Sequence, residues 1–196
     1  MSALVIATGN RGKLREISAI LAPLGIDVVP QSDFAVPECP EPHPTFIENC
    51  LAKARHASAH SGRPALADDS GLCVTALDGA PGVASARYAG EPRSDVRNSE
   101  KLIASLAGVR DRRAHYTCVM AYVRYPQDPE PLIAEGRWAG EIIDTPRGEG
   151  GFGYDPWFWV PEFGLTAAEL DPGIKHRISH RGKALAVLLD RLRSGL

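Results

Sequence analysis

Excess charge of one sign, paired cysteines and long apolar runs are all scarce in this sequence. Its 196 residues carry 22 Lys and Arg against 24 Asp and Glu, a formal net charge of -2. That balance argues against a protein that binds nucleic acid over its whole surface, although a local basic patch can still hold an anion. The four cysteines, Cys39, Cys50, Cys73 and Cys118, include no C-x-x-C pair. They read as reduced, mostly structural side chains of a cytoplasmic protein. The apolar run after Met1 is too short for a signal-peptide core or a membrane span. No internal repeat and no long linker interrupt the chain. H-E-x-x-H and G-x-S-x-G are missing as well, which excludes the usual zinc and serine hydrolase arrangements.

The remaining composition, 44% hydrophobic and 23% charged, is that of one globular domain with a sizeable core. Apolar periodicity predicts a strand over 4–7, a helix over 12–21 and a strand over 26–29, a βαβ unit with neighbouring parallel strands. "PECPEPHP" (37–44) is too rich in proline for anything but a loop. Thr45 and Glu48 form a capping box for a helix running to about residue 59. "PALADDSGL" predicts a short strand ending on carboxylates, with a turn at Ser70-Gly71, and "LCVTAL" continues extended. The Gly/Pro-punctuated stretch 79–90 is a loop with room for a short helix. Ser94 caps a further helix with Leu102, Ile103 and Leu106 inward. Alternation over 114–125 and 132–143 predicts a long antiparallel hairpin around which a second lobe is built. "WFWV" reads as a strand, Thr166 and Glu169 as a second capping box, and Ser179 as the cap of a last helix with Leu185, Leu188, Leu189 and Leu192 inward.

Four stretches can carry chemistry. In "ATGNRGK", Gly9 and Gly12 place backbone amides at a helix N-terminus beside Lys13 and Arg15, which suits an anion. It is not a Walker A loop, because Leu14 stands where Ser or Thr is needed, and a plain βα turn fits equally. In "ADDSG", side chains alternate along a strand, so Asp68 and Asp69 do different jobs. One can bind a hard cation such as Mg²⁺, and the other can cap or form a turn. "GEGGFGYDP" contains G-x-G-x-x-G but does not lead into a helix, so it is no dinucleotide fingerprint. It is a flexible loop presenting Phe152, Tyr154 and Asp155, open either to base recognition or to a purely structural role. "KHRISHRGK" crowds six basic side chains around a helix start, against the macrodipole. Such an arrangement needs an anion to offset it, unless it is a solvated basic surface.

Read together, "ATGNRGKLREI", "TFIENCLAKARHA", "ADDSGLCVTALDGAPGVASARYAG", "GEGGFGYDPWF" and "ISHRGKAL" resemble the inosine triphosphate pyrophosphatase family, in its bacterial branch acting on dITP and XTP. The blocks stand in family order from residue 7 to residue 185. The resemblance implies Mg²⁺-dependent hydrolysis of ITP, dITP and XTP to monophosphate and pyrophosphate. It also implies an α/β fold with an elongated mixed sheet flanked by helices, two lobes, a central cleft and a homodimer, as one domain over 1–196. The charge balance and the short apolar run, read above, leave no expectation of a nucleic acid or membrane partner. By position, Thr8, Gly9, Asn10, Arg11, Gly12 and Lys13 would hold the triphosphate, with Lys53 reaching the phosphates. Asp69 would accept the proton from water and help hold the metal, and Ser70 would touch substrate. Phe152, Gly153, Tyr154 and Asp155 would form the base pocket, completed by Lys175, His180 and Arg181. One block departs from the pattern: where many members have a Glu-Glu pair, this chain has Pro40-Glu41-Pro42. Proline cannot ligate, so Glu41 is assigned as the second metal carboxylate, with Glu38 as the substitute. Two alternatives stand beside this reading, a nucleotide-binding sensor without turnover and an RNA-binding module using residues 175–183.

Overall fold

In the computed structural model, which describes residues 3–194, seven strands form one mixed sheet flanked by helices. The elements are β1 (Leu4–Ala7), α1 (Arg11–Leu21), β2 (Val28–Pro30), α2 (Phe46–Ser61), β3 (Ala65–Val74), α3 (Asp95–Ser105), β4 (Arg113–Val123), β5 (Leu132–Ile142), β6 (Phe158–Val160), β7 (Leu165–Thr166), α4 (Pro172–Ile178) and α5 (His180–Arg193). The strand order is β2-β1-β3-β4-β5-β6-β7. β1 pairs in parallel with both β2 and β3, as the βαβ pattern requires, whereas β6 runs antiparallel to β5 and β7.

The chain packs as two compact units. One holds the stretch through Asp69, then Cys118–Gly136, then the segment from Arg181 onward; the other holds Ser70–Thr117 and Arg137–His180. In the first unit, period-2 alternation sorts residues to two faces. Leu4, Ile6 and Leu66 pack with Ile17 and Leu21 of α1 and Ala184, Leu185 and Leu188 of α5. Val5, Ala7, Ala65 and Ala67 pack with Cys50, Ala54 and Ala57 of α2. The second unit has its own core, in which Leu72, Val74, Leu102, Leu106, Tyr116, Trp138 and Phe158 meet.

Three sequence expectations are corrected. β3 does not stop at the carboxylates; it runs through Ser70 and Gly71 to Val74. Gly71 is there for close approach and not for a turn, since a Cβ would lie 2.3 Å from Gly82 O and 2.6 Å from Ser85 Oγ. Thr166 and Glu169 do bond, the Thr166 N–H donating to Glu169 Oε2 at 2.8 Å, but the chain turns and no helix follows. The basic stretch 175–183 spans two helices: Asp171 caps the short α4, which ends in Lys175, His176 and Arg177, and α5 follows. The capped starts at Thr45 and Ser94 form as expected, each side chain accepting from the backbone N–H three residues on.

Candidate active site

β1 ends at Ala7 and hands over to α1 through Thr8, Gly9 and Asn10. The Thr8 hydroxyl accepts from the Asn10 N–H at 3.1 Å, and Asn10 Oδ1 accepts from the amides of Gly12 and Lys13 at 2.8 and 3.1 Å. Asn10 is thus the N-cap, a role worth about 1 kcal/mol. Two amides that the sequence offered to an anion are already engaged by this side chain. A Cβ at Gly9 would meet nothing within 4 Å, so packing does not demand glycine there.

The paired aspartates sit deep in β3 and divide as alternation requires. Asp68 shares its face with Leu66 and meets α1 and α5. Its Oδ1 lies 2.9 Å from Lys13 Nζ, and its Oδ2 accepts from Arg181 Nε and Nη2 at 3.2 and 3.0 Å. Cys118 Sγ lies 3.5 Å from the same oxygen. Arg181 also pairs through Nη1 with Glu16. Alternating charges therefore run Glu16, Arg181, Asp68, Lys13. Burial alone would raise the Asp68 carboxyl, but the cations of Lys13, Arg181 and Lys53 outweigh it and hold it well below the usual range. Asp68 is neither a cap nor a turn former.

Asp69 turns to α2. Its Oδ1 lies 2.9 Å from Lys53 Nζ, and the same ammonium lies 2.9 Å from Glu41 Oε1. Asp69 Oδ2 is buried without a hydrogen-bond partner. Burial dominates here and pushes the carboxyl up, Lys53 and Lys13 offsetting it only in part. Lys53 is itself partly buried, which disfavours its charge, yet Asp69, Glu41 and Asp68 more than compensate and raise its pKa. Glu38 is exposed, whereas Glu41 is partly buried and shares this ammonium with Asp69.

The second unit gathers another set. Asp155, buried, accepts from Lys175 Nζ at 2.8 Å and the Phe152 N–H at 2.9 Å through Oδ2, and from the Tyr116 hydroxyl at 3.4 Å through Oδ1. Lys175 Nζ stands 5.7 Å from the centroid of the Phe152 ring. Gly151, at φ +76°, could carry no side chain, because a Cβ would fall 2.1 Å from Asp155 Oδ2. Tyr154 points into the core and donates to Ser85 O at 2.8 Å, while the Gly153 N–H donates to Asp95 at 3.0 Å. His180 stacks on Tyr116 with ring centroids 4.7 Å apart.

Phe152, Asp155 and Lys175 are thus brought together, with His180 joined to them through Tyr116. Arg181, one residue on, belongs to the first unit and is committed to Asp68 and Glu16. Its burial resolves the helix-dipole conflict read in the sequence, because the offsetting anions are those two carboxylates. Lys175, His176 and Arg177 close α4 at its C-terminal end, where cations are favourable. Lys175, His180 and Arg181 are buried, so the solvated basic surface is ruled out for them. Sequence reasoning missed Glu16, Tyr116 and Asp95, none of which carries a local motif.

Similarity to known proteins covers nearly the whole chain. The model of the Ham1 family matches residues 4–191. The chain belongs to the Ham1 family. It is 60% identical to the dITP/XTP pyrophosphatase of Ralstonia nicotianae, over 98% of each chain. It is 64% identical to that of Nitrosomonas europaea, over 98% of this chain and 95% of the other. Among solved structures, a HAM1 protein from Coxiella burnetii superposes with a TM-score of 0.91 at 48% identity, covering 99% of this chain and all of that one. The Staphylococcus aureus Ham1 protein does so with a TM-score of 0.88 at 39% identity, over the full length of both. Among the described residues no helix is long and apolar enough to cross a membrane.

Proposed function

We propose that this Ham1 protein hydrolyses the non-standard purine nucleoside triphosphates ITP, dITP and XTP to the monophosphate and pyrophosphate. The observation that carries the reading is the contrast within β3. Asp68 is locked as an anion, while Asp69 has an elevated pKa and one buried oxygen without a partner. Two carboxylates driven apart by their environments mark the one suited to take a proton. High identity to proteins named dITP/XTP pyrophosphatase supports the same substrate class.

The residues fit a divalent cation. Asp69 and Glu41 supply hard oxygen donors on a common ammonium, and Asp69 Oδ2 has no hydrogen bond to lose. Among the described residues no group of three or more His, Cys, Asp or Glu could hold a metal. Mg²⁺ does not require one, since one or two carboxylates plus substrate phosphates commonly suffice. Bound there, it would supply charge neutralisation on the triphosphate and a more acidic water. Asp69 would hold or take the proton of the attacking water at Oδ2. Lys13 and Lys53 would bear the charge that develops on pyrophosphate, and Thr8, Gly9 and Arg11 would line the phosphate path, with Gly9 leaving room. The chemistry is positioning plus electrostatics, as phosphoryl-type transfer requires.

In the second unit, Lys175 is the donor best suited to a 6-oxo purine edge, oriented by Asp155 and flanked by the Phe152 ring. A site built to bond that oxygen rejects a 6-amino base by leaving a buried donor unpaired. Commitment of Lys175 and Arg181 to internal carboxylates disfavours RNA binding through residues 175–183. A homodimer belongs to the same reading through the family resemblance, whereas cytoplasmic location rests on the unpaired cysteines and independence of nucleic acid on the near-neutral charge. A pyrophosphate-release panel over ITP, dITP, XTP and the four common NTPs with Mg²⁺ tests it. Release from the first three well above the rest is expected. Nucleotide binding without release would instead make the protein a sensor.

A further inference from the structure

Three side chains of α2 reach back to the proline-rich segment that precedes it, and they stand at i, i+4 and i+7. Asn49 Oδ1 accepts from the His43 N–H at 3.0 Å, and Asn49 Nδ2 donates to the His43 carbonyl at 3.0 Å. Lys53 Nζ lies 2.9 Å from Glu41 Oε1. His56 Nε2 lies 2.9 Å from the Pro37 carbonyl, so that nitrogen donates. Residues at this spacing share one helix face. A single stripe of α2 therefore grips the segment at Pro37, Glu41 and His43.

The make-up of the segment explains why side chains must do the gripping. Pro37, Pro40, Pro42 and Pro44 lack a backbone N–H, so within residues 40–44 only Glu41 and His43 can donate from the main chain. A sheet ladder is unavailable to such a stretch. His43 instead gives both its backbone polar groups to one buried amide. A buried amide left unpaired costs about 1–3 kcal/mol, so an apolar side chain would serve better if packing were the only need. The prolines also narrow the conformations open to the free loop, which lets few anchors fix it.

We propose that Asn49 and His56 are positioning residues for Glu41. They tie the backbone on either side of it, at His43 and at Pro37, so that its carboxylate is held at the Lys53 ammonium it shares with Asp69 and serves the divalent cation there. The proposal rests on Glu41 being a metal carboxylate. Neither Asn49 nor His56 touches cation or substrate; each acts through the loop.

Mn²⁺, which takes the same oxygen donors as Mg²⁺, is the probe. Its binding to the full chain is followed by electron paramagnetic resonance in the presence of an ITP analogue with a methylene α–β bridge. Half-saturating Mg²⁺ for ITP turnover, the ITP-to-GTP ratio and thermal melting are measured alongside. Glu41→Gln sets the scale. Asn49→Ala is expected to weaken Mn²⁺ binding about 10-fold, the range seen for lost outer-shell partners, with His56→Ala in the same direction and the base ratio unchanged. His56 is partly exposed, so His56→Ala keeps the test open if Asn49→Ala does not fold. Weakened Mn²⁺ binding in Glu41→Gln, with wild-type binding in folded Asn49→Ala and His56→Ala, overturns the positioning role. An altered ITP-to-GTP ratio in either variant overturns it too, as a sign of general loosening. Unchanged binding in Glu41→Gln overturns the metal reading of Glu41 itself, and the proposal with it.

Discussion

Asp68 and Asp69 are neighbours in one strand, yet their carboxyl groups depart from the ordinary aspartate value in opposite directions. Both are buried, so desolvation pushes both upward. Asp68 faces Lys13 and Arg181 and ends far below that value; Asp69 shares Lys53 with Glu41 and ends above it. One strand thus carries a fixed anion and a carboxyl that burial pushes up, selected by which side of the sheet each side chain faces.

Asp69→Asn should lower pyrophosphate release from ITP by roughly 10²- to 10⁴-fold, the usual range for a lost general base. Calorimetric binding of a non-hydrolysable ITP analogue should persist. A turnover near wild type would remove Asp69 from the chemistry.

The acid limb of kcat/KM against pH should lie above the ordinary aspartate value of about 3.9. Activity falls as pH drops through the raised pKa, because the acceptor becomes protonated. Lys53 holds that pKa down in part, so Lys53→Met should move the limb further toward neutral pH. The same sign applies to stability: a raised carboxyl destabilises the fold above its unfolded pKa and is relieved as pH falls. Asp69→Asn removes that burden but also takes from Lys53 its main counter-charge, so its stability deficit at pH 7 should be smaller than that of Asp68→Asn.

Asp68→Asn should cost about 3–5 kcal/mol at neutral pH, since it strips counter-charge from Lys13 and Arg181. A depressed carboxyl stabilises above its unfolded pKa, about 3.9, and that contribution fades as pH falls toward the folded value. Chemical denaturation at pH 7 and pH 3 should show the deficit shrinking in acid.

Lys175→Met should raise KM for ITP roughly 10- to 100-fold, the worth of a hydrogen bond from a charged donor, with a smaller effect on kcat. Equal losses in KM for ITP and ATP would argue against base reading by Lys175.

Local signals were legible in the sequence and distant partnerships were not. Alternation in "ADDSG" assigned Asp68 and Asp69 to different tasks, and the Thr45 cap set the start of α2. Gly71 misled because a glycine looks the same whether it turns the chain or admits the Gly82 carbonyl. Thr166 and Glu169 made the hydrogen bond of a capping box without the helix, since the chain turns on after β7. Arg181 meets Asp68 across 113 positions, and no spacing rule connects them. The basic run 175–183 hid a helix break because Asp171 and Pro172, which open α4, lie just before it.

The charge chain from Glu16 through Arg181 and Asp68 to Lys13 also constrains the order in which the protein can mature. Lys13, Glu16 and Asp68 are made well before Arg181, which follows Asp68 by 113 positions. At about 5–20 residues per second, β3 leaves the ribosome many seconds before Arg181 does. Until then Asp68 lacks the guanidinium that offsets its burial, and the face of β3 that α5 covers stays open. The first unit is therefore expected to complete its fold only once α5 has been made.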